Sequence, residues 1–331
     1  MVGAVLVHNG KVIGEGYHQQ YGGPHAEINC LASVSAENRS LIPESTMYVS
    51  LEPCAHYGKT PPCAKRIVDE RIRKVIVCNN DPFDAVNGKG FDILKAENIE
   101  TSSEILAEQG RWVNRRFFCF HEQLRPYIIL KWAQTSNGFF APADHSRFQI
   151  SNQHSQQLVH KWRTEEAAIL VGTTTALNDN PYLTARLWKG EQPLRLVLDR
   201  TLRLSSDLNI FNDDAETWIV NETKNAKAAH ITYVQLDFTK DVLQQLLSKL
   251  YEAKVLSLIV EGGAALLNSF IQKRLWDEAR VFTGDSMLID GIAAPLLTNA
   301  DKAFSTTPRS DQLNVYVNKK SAYRYVQQME L

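Results

Sequence analysis
The chain has 331 residues, 44% of them hydrophobic and 22% charged. That is enough for a sizeable core and, at roughly 150 residues per domain, for about two domains, which excludes a peptide hormone or a disordered tail. Thirty-six Lys and Arg oppose 37 Asp and Glu for a formal charge of −1, so no global basic field exists to grip a nucleic-acid backbone by counterion release. The first third reads as an α/β unit. Residues 2–7 and 11–17 flank Asn9-Gly10, a pair that accepts the positive φ of a tight two-residue turn, and they predict an antiparallel hairpin. Apolar periodicity then predicts helix over 26–34, strand over 46–50, helix over 63–70, strand over 74–78 and helix over 90–97. Strands alternating with helices imply parallel neighbours in a helix-covered sheet. A helical stretch follows from 103 to about 120 and ends in Arg115-Arg116-Phe117-Phe118. The polar segment from His121 to Pro126 marks the boundary between domains over 1–121 and 122–331.

Beyond it, strands are predicted at 127–133, 168–171, 194–199, 217–220 and 255–260, and helices at 151–161, 241–253 and 264–273. Segments 313–317 and 322–329 pair as a closing hairpin, and no internal repeat or low-complexity segment is present. No apolar run is long enough to cross a bilayer, and the Met1-Val2-Gly3-Ala4-Val5 start has no basic n-region or cleavage site. The expectation is a cytoplasmic protein. Five cysteines are odd in number and sparse, which argues against a disulfide framework and leaves metal binding or burial.

Three residues have metal-ligand character in suitable places. His25 opens the first helix, Cys54 follows the 46–50 strand, and Cys63 opens the next helix. One imidazole and two thiolates make a three-ligand zinc site whose fourth position is left for water, the arrangement of catalytic zinc. Helix N-termini favour the deprotonated thiolate. Glu27 is not needed as a ligand and is suited to take a proton from zinc-bound water and pass it to a leaving amine. The pairing of His-x-Glu with Pro-Cys…Cys is the signature of zinc nucleobase deaminases, which have two residues between the cysteines where this chain has eight. Cys30 and Cys78 sit in apolar company that suits buried thiols, so neither is expected as a fourth ligand. His56, inside the inter-cysteine loop, is the one remaining candidate for ligation, and the preferred reading makes it a substrate-facing donor.

Gly-Glu-Gly-Tyr-His (14–18), Pro-His-Ala-Glu (24–27), Leu-Glu-Pro-Cys-Ala-His-Tyr-Gly-Lys-Thr-Pro-Pro-Cys (51–63) and Asp-Pro-Phe…Asn-Gly-Lys-Gly (81–90) resemble the deaminase half of the bifunctional riboflavin-biosynthesis deaminase/reductases. The resemblance covers nearly the whole chain. It implies an α/β protein, with an N-terminal cytidine-deaminase-like three-layer domain followed by a dihydrofolate-reductase-like α/β domain. It implies Zn2+ and NADPH as cofactors and a phosphorylated diaminopyrimidinone as substrate. His25, Cys54 and Cys63 carry over as zinc ligands and Glu27 as the proton shuttle. Members of the family carry a helix and a Pro-Asn-Pro turn ahead of the Val-Gly-Ala-Val strand in which this chain starts, so the expectation is either a deaminase pocket open at that edge or a misassigned start codon.

The second domain has no Gly-x-Gly-x-x-Gly fingerprint. Glu261-Gly262-Gly263 runs from a strand into a helix, where glycines let a phosphate approach and the helix N-terminus supplies donors. Lys131, Ser146, Arg163, Thr175, Asp179, Leu183 and Arg186 lie in segments similar to the reductase half of the same family. By that resemblance Ser146, Arg163, Asp179, Leu183, Arg186 and Glu261 contact substrate, with Arg163 and Arg186 clamping its 5′-phosphate. Ala133, Phe148, Thr175, Asp179, Arg200 and Gly263 contact NADPH, and Lys131 and Glu261 are the candidates near the protonation step. The chain departs from the family pattern at Asn137, which removes a carboxylate, at Phe148 for Trp, and at Arg200 for Ser, where the cation is expected to favour the 2′-phosphate of NADPH.

The alternatives are a nucleic-acid or nucleobase-editing zinc deaminase with an unrelated C-terminal domain, and a protein active only as the reductase. Near-neutral charge counts against the first, and the arginines of Arg111 to Phe118 more simply cap a helix C-terminus. The expected partners are the small phosphorylated pyrimidine and further copies of the chain as a homo-oligomer, with neither nucleic acid nor membrane.

Overall fold
A computed structural model describes residues 1–20, 22–55, 61–83, 86–144 and 146–327. The chain divides into two compact units, one formed by Met1–Glu122 together with the tail from Tyr323, the other by Gln123–Ala322.

In the first unit β1 (Gly3–His8) and β2 (Lys11–Tyr17) form the expected hairpin. Asn9 (φ 47°) and Gly10 (φ 76°) both take the left-handed conformation that the turn demands. There follow α1 (Ala26–Ser33), a 3-10 segment (Ala36–Glu44), β3 (Thr46–Val49), α2 (Cys63–Asp69) and β4 (Lys74–Val77). The unit continues with α3 (Lys89–Ala96), β5 (Glu100–Ser102), α4 (Ala107–Val113) and α5 (Arg115–Gln123). The sheet runs β2-β1-β3-β4-β5, antiparallel through β1 and parallel from β3 to β5. Leu6, Leu31, Met47, Ile67, Val75 and Leu94 build its core. Gly16 has no room for a side chain, because an added Cβ would lie 2.2 Å from the backbone nitrogen of Cys30 in α1. That contact seats α1, and with it His25, against the hairpin.

Two expectations change here. The stretch from 103 to 120 is two helices, broken at Asn114. The Arg115 guanidinium donates to the Trp112 carbonyl (2.9 Å) and stacks 4.1 Å from the Trp112 ring centroid, closing the C-terminus of α4. The tail is the second correction, because residues 322–327 form no strand with 313–317. Tyr323 is buried, donates to Glu122 (3.0 Å) and receives the Arg111 guanidinium on its ring, so its aromatic anchor holds the tail to the first unit.

The second unit contains β6 (Tyr127–Gln134), β7 (Phe139–Pro142), α6 (Gln153–Glu165), β8 (Ala168–Gly172), α7 (Thr173–Asp179), β9 (Leu194–Leu198) and β10 (Thr217–Asn221). It continues with β11 (Ala226–Ala228), β12 (Ile231–Gln235), α8 (Val242–Glu252), β13 (Ser257–Gly262), α9 (Ala264–Gln272) and β14 (Glu278–Thr283). The last three strands are β15 (Gly291–Ala293), β16 (Ala300–Thr306) and β17 (Gln312–Asn318). Among the described residues, ten strands form one sheet in the order β11-β12-β10-β9-β8-β13-β6-β14-β17-β16. It is parallel from β12 to β14, and β17 pairs antiparallel with β14 and with β16, which is its real hairpin partner. Helices α8 and α9 bury Leu246, Leu250, Leu267 and Phe270 in its core. Asn152 caps α6, its side chain accepting from the backbone of His154 (2.9 Å) and Ser155 (3.0 Å).

Candidate active sites
In the first unit the helix starts and the end of β3 bring three donors together. His25 is the residue before α1, Cys63 is the first residue of α2, and Cys54 lies between β3 and α2. His25 Nδ1 lies 3.4 Å from each of Cys54 Sγ and Cys63 Sγ, and the ligand atoms fall within 4.8 Å of one another. The Cys63 N–H donates to Cys54 Sγ (3.3 Å), and the Ala64 N–H donates to the Cys54 carbonyl (3.2 Å). Hydrogen bonds from Cys63 and His25 bring the Cys54 thiol down to about 4 against the opposing effect of burial. One imidazole and two sulfurs at this spacing suit tetrahedral zinc with a position left for water. About one zinc per chain is expected on elemental analysis. Cys54→Ala is expected to lower that content, and unchanged content would remove Cys54 from the ligand set.

Glu27 is 3% exposed, beside the cluster. Burial pushes its carboxyl up to about 7, where it gives and takes a proton with similar ease near neutral pH. Cys30 is buried in α1 and its thiol is pushed up to about 12 by burial, as suits an inert core thiol. Cys78 lies just past β4, half-buried, with Sγ donating to the Leu106 carbonyl (3.2 Å). His56 lies outside the described residues.

Sequence reasoning gave Glu52 no role. Its buried carboxylate accepts from the backbone N–H groups of Asp81 (3.3 Å), Gly88 (3.1 Å) and Gly90 (3.0 Å). It thereby ties the turn that carries Cys54 to the 81–90 segment. Its donors are main-chain groups, which no side-chain pattern announces.

The second site is a cavity of about 800 Å³ at the carboxyl ends of β6, β8 and β13, the position where open parallel sheets bind ligands. It is lined by Ser146, Arg163, Asp179, Leu183, Arg186 and Glu261 of the expected substrate set. Lys131, Ala133, Phe148, Thr175 and Gly263 line the same cavity. A Cβ on Gly263 would come within 3.2 Å of Thr175 Oγ1, so the glycine leaves open a wall beside the N-terminus of α9. That wall, beside the N–H groups of the first turn of α9, fits a dinucleotide phosphate.

Glu261 organises the charge. Its carboxylate receives Arg163 through Nε (3.1 Å) and NH2 (2.7 Å), and Lys131 Nζ lies 3.8 Å away. Burial alone would raise Glu261, but Arg163 and Lys131 outweigh it and hold the carboxyl at about 2. Burial lowers Lys131, with Glu261 and Arg163 acting on it in opposite senses. Arg163 also donates to the Thr184 carbonyl (3.1 Å). Arg186 is ion-paired to no carboxylate among the described residues and stacks on Tyr182, 4.4 Å from the ring centroid. Burial raises Asp179, with Arg147 pulling it down.

Arg200 is not brought to this cavity. It is exposed, pairs with Glu222 (2.7 Å) and faces the Phe238 ring at 5.6 Å. Asn137 instead braces a turn, donating to the Leu288 carbonyl (2.7 Å) and accepting from Thr135 Oγ1 (2.8 Å). In the first unit Arg111 is held by two hydrogen bonds to Glu122 (2.9 and 2.6 Å) and Arg115 by Trp112, so these arginines serve the fold rather than a polyanion.

A three-donor metal centre with a buried carboxylate, and a parallel-sheet cavity lined for a phosphorylated cofactor, define a zinc deaminase joined in one chain to a dihydrofolate-reductase-like reductase. The chain belongs to the RibD family of riboflavin biosynthesis proteins: residues 126–301 match the RibD C-terminal domain, and residues 1–79 match the cytidine and deoxycytidylate deaminase zinc-binding region. It is 37% identical over 297 residues to the riboflavin biosynthesis protein RibD of Aquifex aeolicus, covering 88% of this chain and 82% of that protein. Identity to RibD of Bacillus amyloliquefaciens is 34% over 310 residues, 91% of this chain and 82% of that one. The fold superposes with a TM-score of 0.87 and 30% identity on the Thermotoga maritima diaminohydroxyphosphoribosylaminopyrimidine deaminase/5-amino-6-(5-phosphoribosylamino)uracil reductase, over 96% of this chain and 91% of that one. Zinc is the cofactor of the deaminase domain and NADPH that of the reductase domain.

Proposed function
We propose that the chain performs two consecutive steps of riboflavin biosynthesis on a small phosphorylated pyrimidine. The first removes the 2-amino group of 2,5-diamino-6-ribosylamino-pyrimidinone 5′-phosphate as ammonia. The second reduces the ribosyl to the ribityl side chain, giving 5-amino-6-ribitylaminouracil 5′-phosphate. The reading is carried by the joint presence, in one RibD-family chain, of the His25, Cys54 and Cys63 donor cluster beside Glu27 and of the Lys131–Glu261–Arg163 group in a cavity.

His25, Cys54 and Cys63 hold zinc, which when bound supplies Lewis-acid activation of water. Glu27 receives the proton of the attacking water and delivers it to the departing amine. In the second site Ala133, Phe148, Thr175 and Gly263 would hold NADPH, which when bound would supply the hydride that C1′ must gain. Lys131, held by Glu261, is placed to deliver the one proton that the ring oxygen O4′ takes up as the ribose opens. Arg186 binds the 5′-phosphate, and Ser146, Asp179 and Leu183 complete the substrate wall. Ala133, Phe148, Thr175 and Gly263 form the cofactor wall, with the Phe148 ring available for stacking.

No helix among the described residues is long and apolar enough to cross a membrane. The cytoplasm, where thiols stay reduced, suits two thiolate ligands. A homo-oligomer is the expected assembly, and exposed Met287, Ile289 and Leu296 offer it apolar contacts.

Incubation with the diaminopyrimidinone phosphate, with ammonia and NADPH followed separately, tests the reading. Ammonia is expected without NADPH, and NADPH oxidation is expected once deaminated product forms. NADPH oxidation without ammonia would leave a reductase alone, and neither signal would overturn the assignment.

A further inference from the structure
His160 lies on α6 one turn before Arg163, so both side chains share the helix face that lines the cavity. The ring is 7% exposed. Its Nδ1 accepts the backbone N–H of Arg186 (2.8 Å) and, more weakly, that of Leu187 (3.4 Å). A ring nitrogen that accepts from backbone N–H groups carries no hydrogen, so the single proton of the neutral imidazole sits on Nε2. Burial, then Arg163, Arg186 and Lys131, bring His160 down to about 4 against the opposite pull of Glu261. The ring is therefore neutral through the physiological range, and its acceptor nitrogen is permanently available. Arg186 depends on that anchor. It sits in a segment without regular structure, between α7 and β9, and its side-chain partners are Thr184 Oγ1 (3.1 Å) and the face of Tyr182.

We propose that His160 is a positioning residue of the reductase reaction: its Nδ1 clamps the Arg186–Leu187 backbone and so aims the Arg186 guanidinium at the 5′-phosphate of the substrate. The inference rests on the proposed assignment of Arg186 to that phosphate. Phosphate recognition by a guanidinium depends on a fixed fork of donors. A loop arginine free to wander would bind the same anion at a cost in ordering entropy.

The residue at 160 must supply an acceptor at the Nδ1 position, and this separates two substitutions. In His160→Asn the amide oxygen falls close to that position and retains the clamp. In His160→Phe the ring volume is kept and the acceptor is lost. With the deaminated phosphorylated intermediate as substrate, His160→Phe is expected to raise the KM of NADPH oxidation about tenfold, equivalent to about 1.4 kcal/mol. Its kcat should stay within about twofold of the parent, and His160→Asn should recover most of the lost KM. With the same intermediate lacking its 5′-phosphate, parent and Phe variant should have equal KM, a difference that loss of packing alone does not produce. His160→Ala replaces the Phe variant should that one fail to fold. Arg186→Ala separates the two levels of argument. If Arg186→Ala leaves KM for the phosphorylated substrate unchanged, the phosphate assignment fails. If it raises KM while removal of the His160 acceptor does not, or if Asn and Phe behave alike, the positioning role of His160 is overturned and the assignment stands.

Discussion

Glu27→Gln should reduce ammonia release by about 10²–10⁴-fold, the range that a positioned proton-transfer group contributes. The amide matches the carboxylate in shape, so α1 and the seat of His25 on it should persist, and zinc content should remain near one per chain. What is lost is the ability to take a proton. Glu27 is 3% exposed beside Cys54, Cys63 and His25, and burial sets its carboxyl at about 7, so no bulk-solvent base easily substitutes for it. NADPH oxidation measured on the already deaminated intermediate should be unaffected, because the chemistry proposed for it draws on Lys131 and Glu261 in the other unit. Ammonia release at the parental rate would remove Glu27 from the mechanism. Loss of zinc along with ammonia would instead make it a support of the metal centre.

The first site could be read from the sequence because its chemistry is local. His25 and Cys63 stand at helix starts and Cys54 just past a strand end, places that turn signals and apolar periodicity both mark. The Asn9-Gly10 turn was equally open to reading, since few residue pairs tolerate two successive positive φ values. The second site is assembled from distant segments. Arg163 and Glu261 are 98 positions apart, and nothing in the periodicity of either segment indicates that one neutralises the other. Resemblance supplied those residues but also supplied Arg200, which this chain pairs with Glu222 instead.

Strand β14 escaped periodicity for a related reason. Glu278 and Arg280 are fully buried within it, bonded to each other (2.6 Å), and Arg280 reaches Glu166 (3.4 Å). An ion pair inside a central strand breaks the apolar run that identifies such strands from sequence. His160 was passed over because its importance lies in what its Nδ1 accepts from a backbone 26 residues away. Side-chain identity alone reports no such contact.

Glu261→Gln should be the most damaging single change in the second unit. It leaves Lys131 and Arg163 facing one another with no anion between them, and both are largely buried, with side chains 16% and 11% exposed. Breaking a buried pair by removing one partner costs about 3–5 kcal/mol, because the remaining charge is left uncompensated. Lys131 is affected in a second way: burial and Arg163 both lower it, and Glu261 is the group that opposes them. Without that carboxylate the charged ammonium is disfavoured and no anion fixes its position, so less protonated Lys131 stands ready at the substrate, and NADPH oxidation should fall by at least about 10²-fold. Ammonia release should persist below the unfolding transition of the second unit. The pH dependence has a definite sign. Glu261 is held at about 2 in the folded protein against an ordinary 4.5, so its contribution is complete above pH 4.5 and is lost as pH falls through about 2. The gap in unfolding temperature between parent and Glu261→Gln should therefore be constant above about pH 5 and close progressively on acidification. A gap that widens on acidification, or a variant with parental stability and parental NADPH oxidation, would show that Lys131 and Arg163 need no counter-ion and would remove Glu261 from both roles.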